Sequence, residues 1–230
     1  MSRDLHAEEA QAAWGWPSKQ EPRWPVQIVI VIAIGLYILL PGKLAVNLGP
    51  RWVVPALEGA LSLVLIVVSP NHITRDSRQI RIAALTLIGL INLVNFVSLG
   101  ELIHALLYKS TAIPGRQLIV SSVPIWLTNV IVFGLWYWEL DRGGPARRLT
   151  DHHRRPDFLF PQMTTPGCAE LGWTPRFYDY LYTSFTNSTA FSPTDTMPLT
   201  LWAKTLMALQ STASLLTVAL VVSRAVNILA

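Results

Sequence analysis

The sequence predicts an all-α protein, a polytopic transmembrane helical bundle of about five spans plus one helix too short to cross. Three observations lead there. Of 230 residues, 51% are hydrophobic and only 14% charged, with a mean hydropathy of +0.39, whereas soluble domains carry about a quarter charged residues. The apolar residues gather into five blocks separated by Pro-, Gly- and Arg-rich stretches. Nine Trp and sixteen Pro suit interfacial aromatics and broken helices. Together these exclude a water-soluble globule and a disordered chain. The formal charge of +4 comes from basic residues between apolar blocks, which fits a membrane surface and not nucleic acid. The lone Cys168 excludes an intrachain disulfide.

A hydrocarbon core of ~30 Å needs roughly 20 helical residues. A polar segment, 1–24, precedes the first block, 25–40, which Trp24 opens and Pro41-Gly42 closes. No small-residue cleavage site follows that block, so it reads as an uncleaved span. The second block, 52–68, ends at Ser69-Pro70-Asn71 and carries Pro55 and Glu58 in its first turns. The third, 80–108, is long for one crossing, so it tilts or lays its last turns beyond Gly100 in the interface. Pro114-Gly115 breaks the chain before the fourth, 117–138, whose Trp136-Tyr137-Trp138 end reads as an aromatic girdle. These four helices fill 25–138; a long basic polar loop, 139–175, follows, and 176–230 holds a short helix, a loop and the last span from about 199.

Lys and Arg set orientation. The N-terminal segment, the second loop and the fourth loop carry twelve, against four in the first and third loops. That places the N-terminus and the 139–175 loop in the cytoplasm.

Polar residues inside apolar blocks are costly and so have partners or jobs. Asn92, Asn95 and Ser98 form one stripe, continued by Glu101 and His104. Two readings stand: a proton or ion relay using Glu101 and His104, or hydrogen-bonding glue between helices. In the last block Gln210, Ser214, Thr217 and Arg224 share a helical face, as pore-lining residues would. Close helix packing through the neighbouring small residues is the structural alternative. The pair His152-His153 and the neighbours Cys168 and Glu170 lack metal-ligand spacing. No metal site, cofactor, phosphate loop or nucleophile elbow is indicated, and therefore no enzyme.

The most specific pattern lies in 176–230. An amphipathic stretch, 177–186, is too short to cross; Asn187-Ser188-Thr189-Ala190-Phe191-Ser192-Pro193-Thr194-Asp195-Thr196-Met197-Pro198 and then an apolar helix follow it. This order resembles the pore module of the potassium channel superfamily: pore helix, extended filter, acidic residue, proline and inner helix. Asp195, Pro198 and Lys204 match the family's acidic, proline and basic positions, and Thr189 falls near the threonine that opens its filter. The filter-like residues are thus Thr189, Ala190, Phe191, Ser192, Pro193, Thr194 and Asp195. The segment departs from the family because it has no glycine, while a carbonyl-lined filter needs glycines to aim alternate carbonyls inward. The whole chain is also similar to bacterial membrane proteins of no assigned activity that share this loop and the Trp136–Asp141 exit.

The resemblance implies ion permeation by a homo-oligomer, a tetramer if the geometry is potassium-type, in the bacterial inner membrane. The partners expected are the lipid bilayer, further copies of the chain and monovalent ions, with no nucleic acid. Two alternatives remain: a non-conducting scaffold or accessory subunit, and a small transporter using Glu101 and His104. Potassium-type loops enter from outside, while the charge count makes this loop enter from the cytoplasm.

Overall fold

In an apolar medium every backbone amide must bond within its own segment, so Val- and Ile-rich runs become helices despite their β preference. The computed structural model describes residues 21–22, 24–41, 52–68, 78–108, 115–149, 155–165, 173–189 and 195–229. Its long helices are α1 (Trp24–Leu39), α2 (Val53–Val68), α3 (Arg78–Tyr108) and α4 (Gly115–Leu140). Pro25 and Pro55 sit in first turns, where a missing N–H is harmless. The chain is mostly helical, and three helices are long and apolar enough to cross a membrane: Gln79–Tyr108, Ile119–Gly143 and Leu201–Val222. Helices α1 and α2 are apolar but only 16 residues each, about 24 Å against a core of ~30 Å.

Helix α4 is the axis of the fold and touches α1, α3 and both C-terminal helices, while α2 packs on α1 and α3. Helix α3 runs unbroken through Gly100 for 31 residues.

Beyond α4 the chain folds back sharply. A 3₁₀ turn at Asp141–Gly143 places Arg142, Gly143 and Gly144 at φ of 54°, 86° and 105°. At Gly144 a Cβ would also meet the Glu139 carbonyl oxygen at 3.0 Å, so only glycine fits there. The four-residue α5 (Pro145–Arg148) follows. Strand β1 (Phe158–Leu159) precedes α6 (Phe177–Thr189), and β2 (Met197–Pro198) leads into α7 (Leu201–Leu229). The two short strands pair antiparallel, Phe158 opposite Pro198 and Leu159 opposite Met197.

Helix α6 starts where the Asp179 carboxylate accepts the Arg176 N–H at 2.7 Å, one half of a capping box. It then runs antiparallel to α4. Phe177 meets Trp138 edge-on at 5.9 Å, Leu181 lies on Gly134, and Ser184 Oγ donates to the Val130 carbonyl at 2.6 Å. By Thr196 the chain is back beside Thr183, their hydroxyls 3.1 Å apart. By Leu199 it bonds the Asp157 carbonyl at 2.8 Å, level with the β1–β2 pair. Helix α7 then descends along α4 and α6.

Three sequence expectations change. The short helix does not give way at Asn187 but continues to Thr189; Thr186 and Thr189 hydroxyls bond carbonyls one turn back, and Asn187 finds partners on α7. Thr189 is therefore a helical residue and not the start of an extended filter. The expected aromatic girdle turns inward: Tyr137 is 0% exposed and Trp138 5%. Arg142 and Arg148, expected in a solvated loop, are each 2% exposed.

Candidate functional site

Two polar constructions hold the α4–α6–α7 unit. The first is the corner after α4. Asp141 is fully buried; its Oδ1 accepts the N–H groups of Asp157 at 2.8 Å and Phe158 at 3.3 Å, and its Oδ2 accepts the Tyr180 hydroxyl at 2.6 Å. Asp157 reciprocates, accepting the Arg142 N–H at 3.0 Å and the Trp202 indole N–H at 2.9 Å. The two carboxylates thus tie α4, β1, α6 and α7 together. Arg148 donates to the carbonyls of Trp138 at 2.6 Å and Asp141 at 3.1 Å, and its guanidinium lies over the Trp138 and Tyr180 rings. Phe158 sits among the rings of Tyr137, Tyr180 and Trp202. Outside this corner, Glu21 accepts the Trp138 indole N–H at 3.1 Å. Burial pushes the Glu21 carboxyl above its usual range, against the opposing pull of Arg148.

The second construction is a seam centred on Gln210, which is fully buried. Its Nε2 donates to the Ser184 carbonyl at 3.0 Å and to the hydroxyls of Ser184 at 2.6 Å and Ser188 at 2.7 Å. Its Oε1 accepts the Tyr137 hydroxyl at 2.5 Å and the Asn187 amide at 2.8 Å. Asn187 also donates to the Met207 carbonyl at 3.0 Å and accepts from Ser211 at 2.9 Å. Ser214 donates to the Ser188 carbonyl and accepts the Trp126 indole N–H at 2.7 Å. Both ends of the Gln210 amide are thus used, as a buried network requires.

Gly134 lets α6 approach this closely. A Cβ there would lie 3.1 Å from the Leu181 Cα, so α6 would have to give by a few tenths of an ångström. Replacing Gly134 with valine is expected to cost about 2 kcal/mol and to unseat α6. Thermal unfolding in mild detergent checks it; a midpoint equal to wild type would mean that the close approach does not matter.

The sequence-predicted residues fall into separate places. Gln210, Ser214 and Thr217 are 0%, 1% and 3% exposed, so their face turns into the protein's own helices; the pore-lining face expected from the sequence is occupied within one chain. The side chain of Arg224 and residues Ala190, Phe191, Ser192, Pro193 and Thr194 lie outside the described residues. Asp195 is exposed, just before the buried Thr196. On α3, Asn92 is half-buried and Asn95 buried, Glu101 is half-buried, and His104 is exposed with its ring 5.2 Å from Tyr108. Glu101 and His104 do not line the cavity that Asn95 reaches. Among the described residues no three His, Cys, Asp or Glu side chains gather as a metal site; His152, His153, Cys168 and Glu170 lie outside them.

Sequence reasoning missed Asp141, Asp157 and Asn187 as structural partners. Their signal was present, since polar residues flanking an aromatic exit and a short helix need burial partners. No protein-family model matches the chain, and neither a curated protein nor a solved structure does so.

Proposed function

We propose that this chain is a multi-pass membrane protein of five spans, α1–α4 and α7, whose α6–return–α7 unit is a pore-type module that passes monovalent cations as a homo-oligomer in a bacterial inner membrane. Membrane residence is supported by an inside-out surface. Leu39 is 73% exposed, Leu63 61%, Leu93 61% and Leu201 82%, while Glu58, Asn95, Gln210 and Ser214 are buried. Large exposed apolar faces of this kind suit lipid. Helices α1 and α2 cross a core thinned to their length.

The observation that carries the pore reading is the path of α6. Its 13 residues advance about 20 Å along α4. The chain then returns to the same end before α7 begins, with the Thr183–Thr196 contact marking the turn-round. Such a re-entrant path presents Asp195, which is exposed, at the mouth. Since Gln210, Ser214 and Thr217 face inward, the face of α7 left to line a pathway carries Thr205, Ala208 and Thr212. All three are exposed, and both threonine hydroxyls bond their own helix.

A ring of Asp195 carboxylates concentrates cations at the mouth, more strongly at low salt. Asp195→Asn is therefore expected to lower cation flux into liposomes severalfold at low ionic strength and little at high. Flux that is the same for both proteins across a salt series removes Asp195; no flux above empty liposomes from the wild type ends the pore reading.

The burial of the Gln210 face favours a second reading, a non-conducting scaffold or accessory subunit whose seam only fixes α6. It predicts a monomer in mild detergent and in nanodiscs, without flux.

Orientation follows the charge count. The Asp141 corner and the mouth of the α6 path share one end, which is placed in the cytoplasm. A membrane-impermeant thiol reagent is expected to label Cys168 only after lysis, with unfolded protein as the positive control. Labelling on intact cells would reverse the topology and make the loop external.

A further inference from the structure

Away from the α6 unit, four helices enclose a second polar region. Tyr37 of α1, Glu58 of α2, Asn95 and Ser98 of α3 and Thr128 of α4 line a cavity of about 10 Å³, with aliphatic walls. That is space for the centre of one water-sized occupant. Glu58 is 1% exposed and Ser98 0%. Both carboxylate oxygens of Glu58 and the Ser98 hydroxyl have no hydrogen-bond partner among the described residues. Among the described residues no Lys, Arg or His lines the cavity, and Tyr37 is the titratable neighbour of Glu58; the polar groups that α3 and α4 contribute are amide and hydroxyl.

Buried polar groups are normally paired, and a buried carboxylate without a counter-charge does not persist in that form. The lining supplies oxygen donors and neither thiolate nor imidazole, which selects a hard cation over a transition metal. One carboxylate balances one positive charge, so a divalent ion would leave excess charge among apolar walls. We propose that this cavity binds a single monovalent cation on the Glu58 carboxylate, a proton in sodium-free medium and a sodium ion in competition with it. Ser98, Asn95 and Thr128 supply the oxygens that stand in for water around the ion. The site is independent of the pore reading, since it lies on α1–α4 and needs no flux through α6–α7.

A hydrophobic carbodiimide tests it on the full chain in nanodiscs. The protonated carboxyl adds its oxygen to the carbodiimide carbon and passes its proton to nitrogen, so the ionised or sodium-bound form does not react. Mass spectrometry is expected to find Glu58 modified at pH 6, severalfold less at pH 9, and severalfold less again when sodium chloride replaces choline chloride. Insensitivity to sodium with the pH response intact narrows the occupant to the proton. Glu58→Gln provides the second measurement because it removes the charge and keeps the shape. In sodium-free buffer the wild-type thermal midpoint is expected to fall relative to Glu58→Gln as pH rises, and sodium restores it. A wild-type-to-variant difference that stays constant from pH 5 to 9, with and without sodium, overturns the site, whether or not the reagent reaches it.

Discussion

Replacing Asp141 with alanine is expected to leave little folded protein. Three buried donors lose their acceptor at once: the N–H groups of Asp157 and Phe158 and the Tyr180 hydroxyl. Each orphaned buried donor costs about 1–3 kcal/mol, so the sum is on the order of 5 kcal/mol, comparable with the whole stability of many domains. Asp157 does not compensate, because its carboxylate already serves Arg142 and Trp202. Tyr180→Phe removes one bond only, to a carboxylate, and is expected to cost about 2 kcal/mol. Asp141→Asn falls between, since its amide oxygen still accepts the two backbone donors. The yield of monodisperse protein in mild detergent, with thermal midpoints for variants that survive, ranks the three. An alanine variant as stable as Tyr180→Phe would show that the corner does not hold the C-terminal unit.

Gln210→Ala is expected to loosen the seam without abolishing insertion. Five contacts end at this side chain, three from Nε2 and two at Oε1. Hydrogen bonds between membrane helices average about 0.6 kcal/mol because the separated helices find other partners, which puts the loss on the order of 3 kcal/mol. A void adds to that. Gln210→Glu keeps the size but places an oxygen against the Ser184 carbonyl, so the ionised form is worse still. Its stability is therefore expected to fall as pH rises through the range of its own carboxyl. Thermal unfolding of alanine, glutamate and wild-type proteins over a pH series reads both effects. If alanine leaves the midpoint unmoved, the seam is not what positions α6, and the pore reading loses its rigid frame.

The helices were legible because hydrophobic blocks and their Pro-Gly punctuation are local. The block 117–138 became α4, extended by two residues at each end, and 80–108 became α3 with its start two residues earlier. The short helix was legible as amphipathic and too short to cross, but not its end at Thr189, because tertiary bonds from Asn187 and Ser188 to α7 extend it. The Asn95–Ser98 stripe was visible at helical spacing. Its role was not, since Glu58 joins it from α2, 37 residues before Asn95.

Composition and block length alone determined a helical chain made for an apolar environment, since burying an unpaired backbone in lipid leaves few options. The tertiary structure decided which way each polar face turns. A helix carrying Gln210, Ser214 and Thr217 offers the same pattern to a pore or to a neighbour. Here the hydroxyls, amide and carbonyls of α6 take up Gln210 and Ser214 first, while Thr217 bonds its own helix, because a buried donor gains more from a fixed partner one contact away than from any arrangement the sequence leaves open.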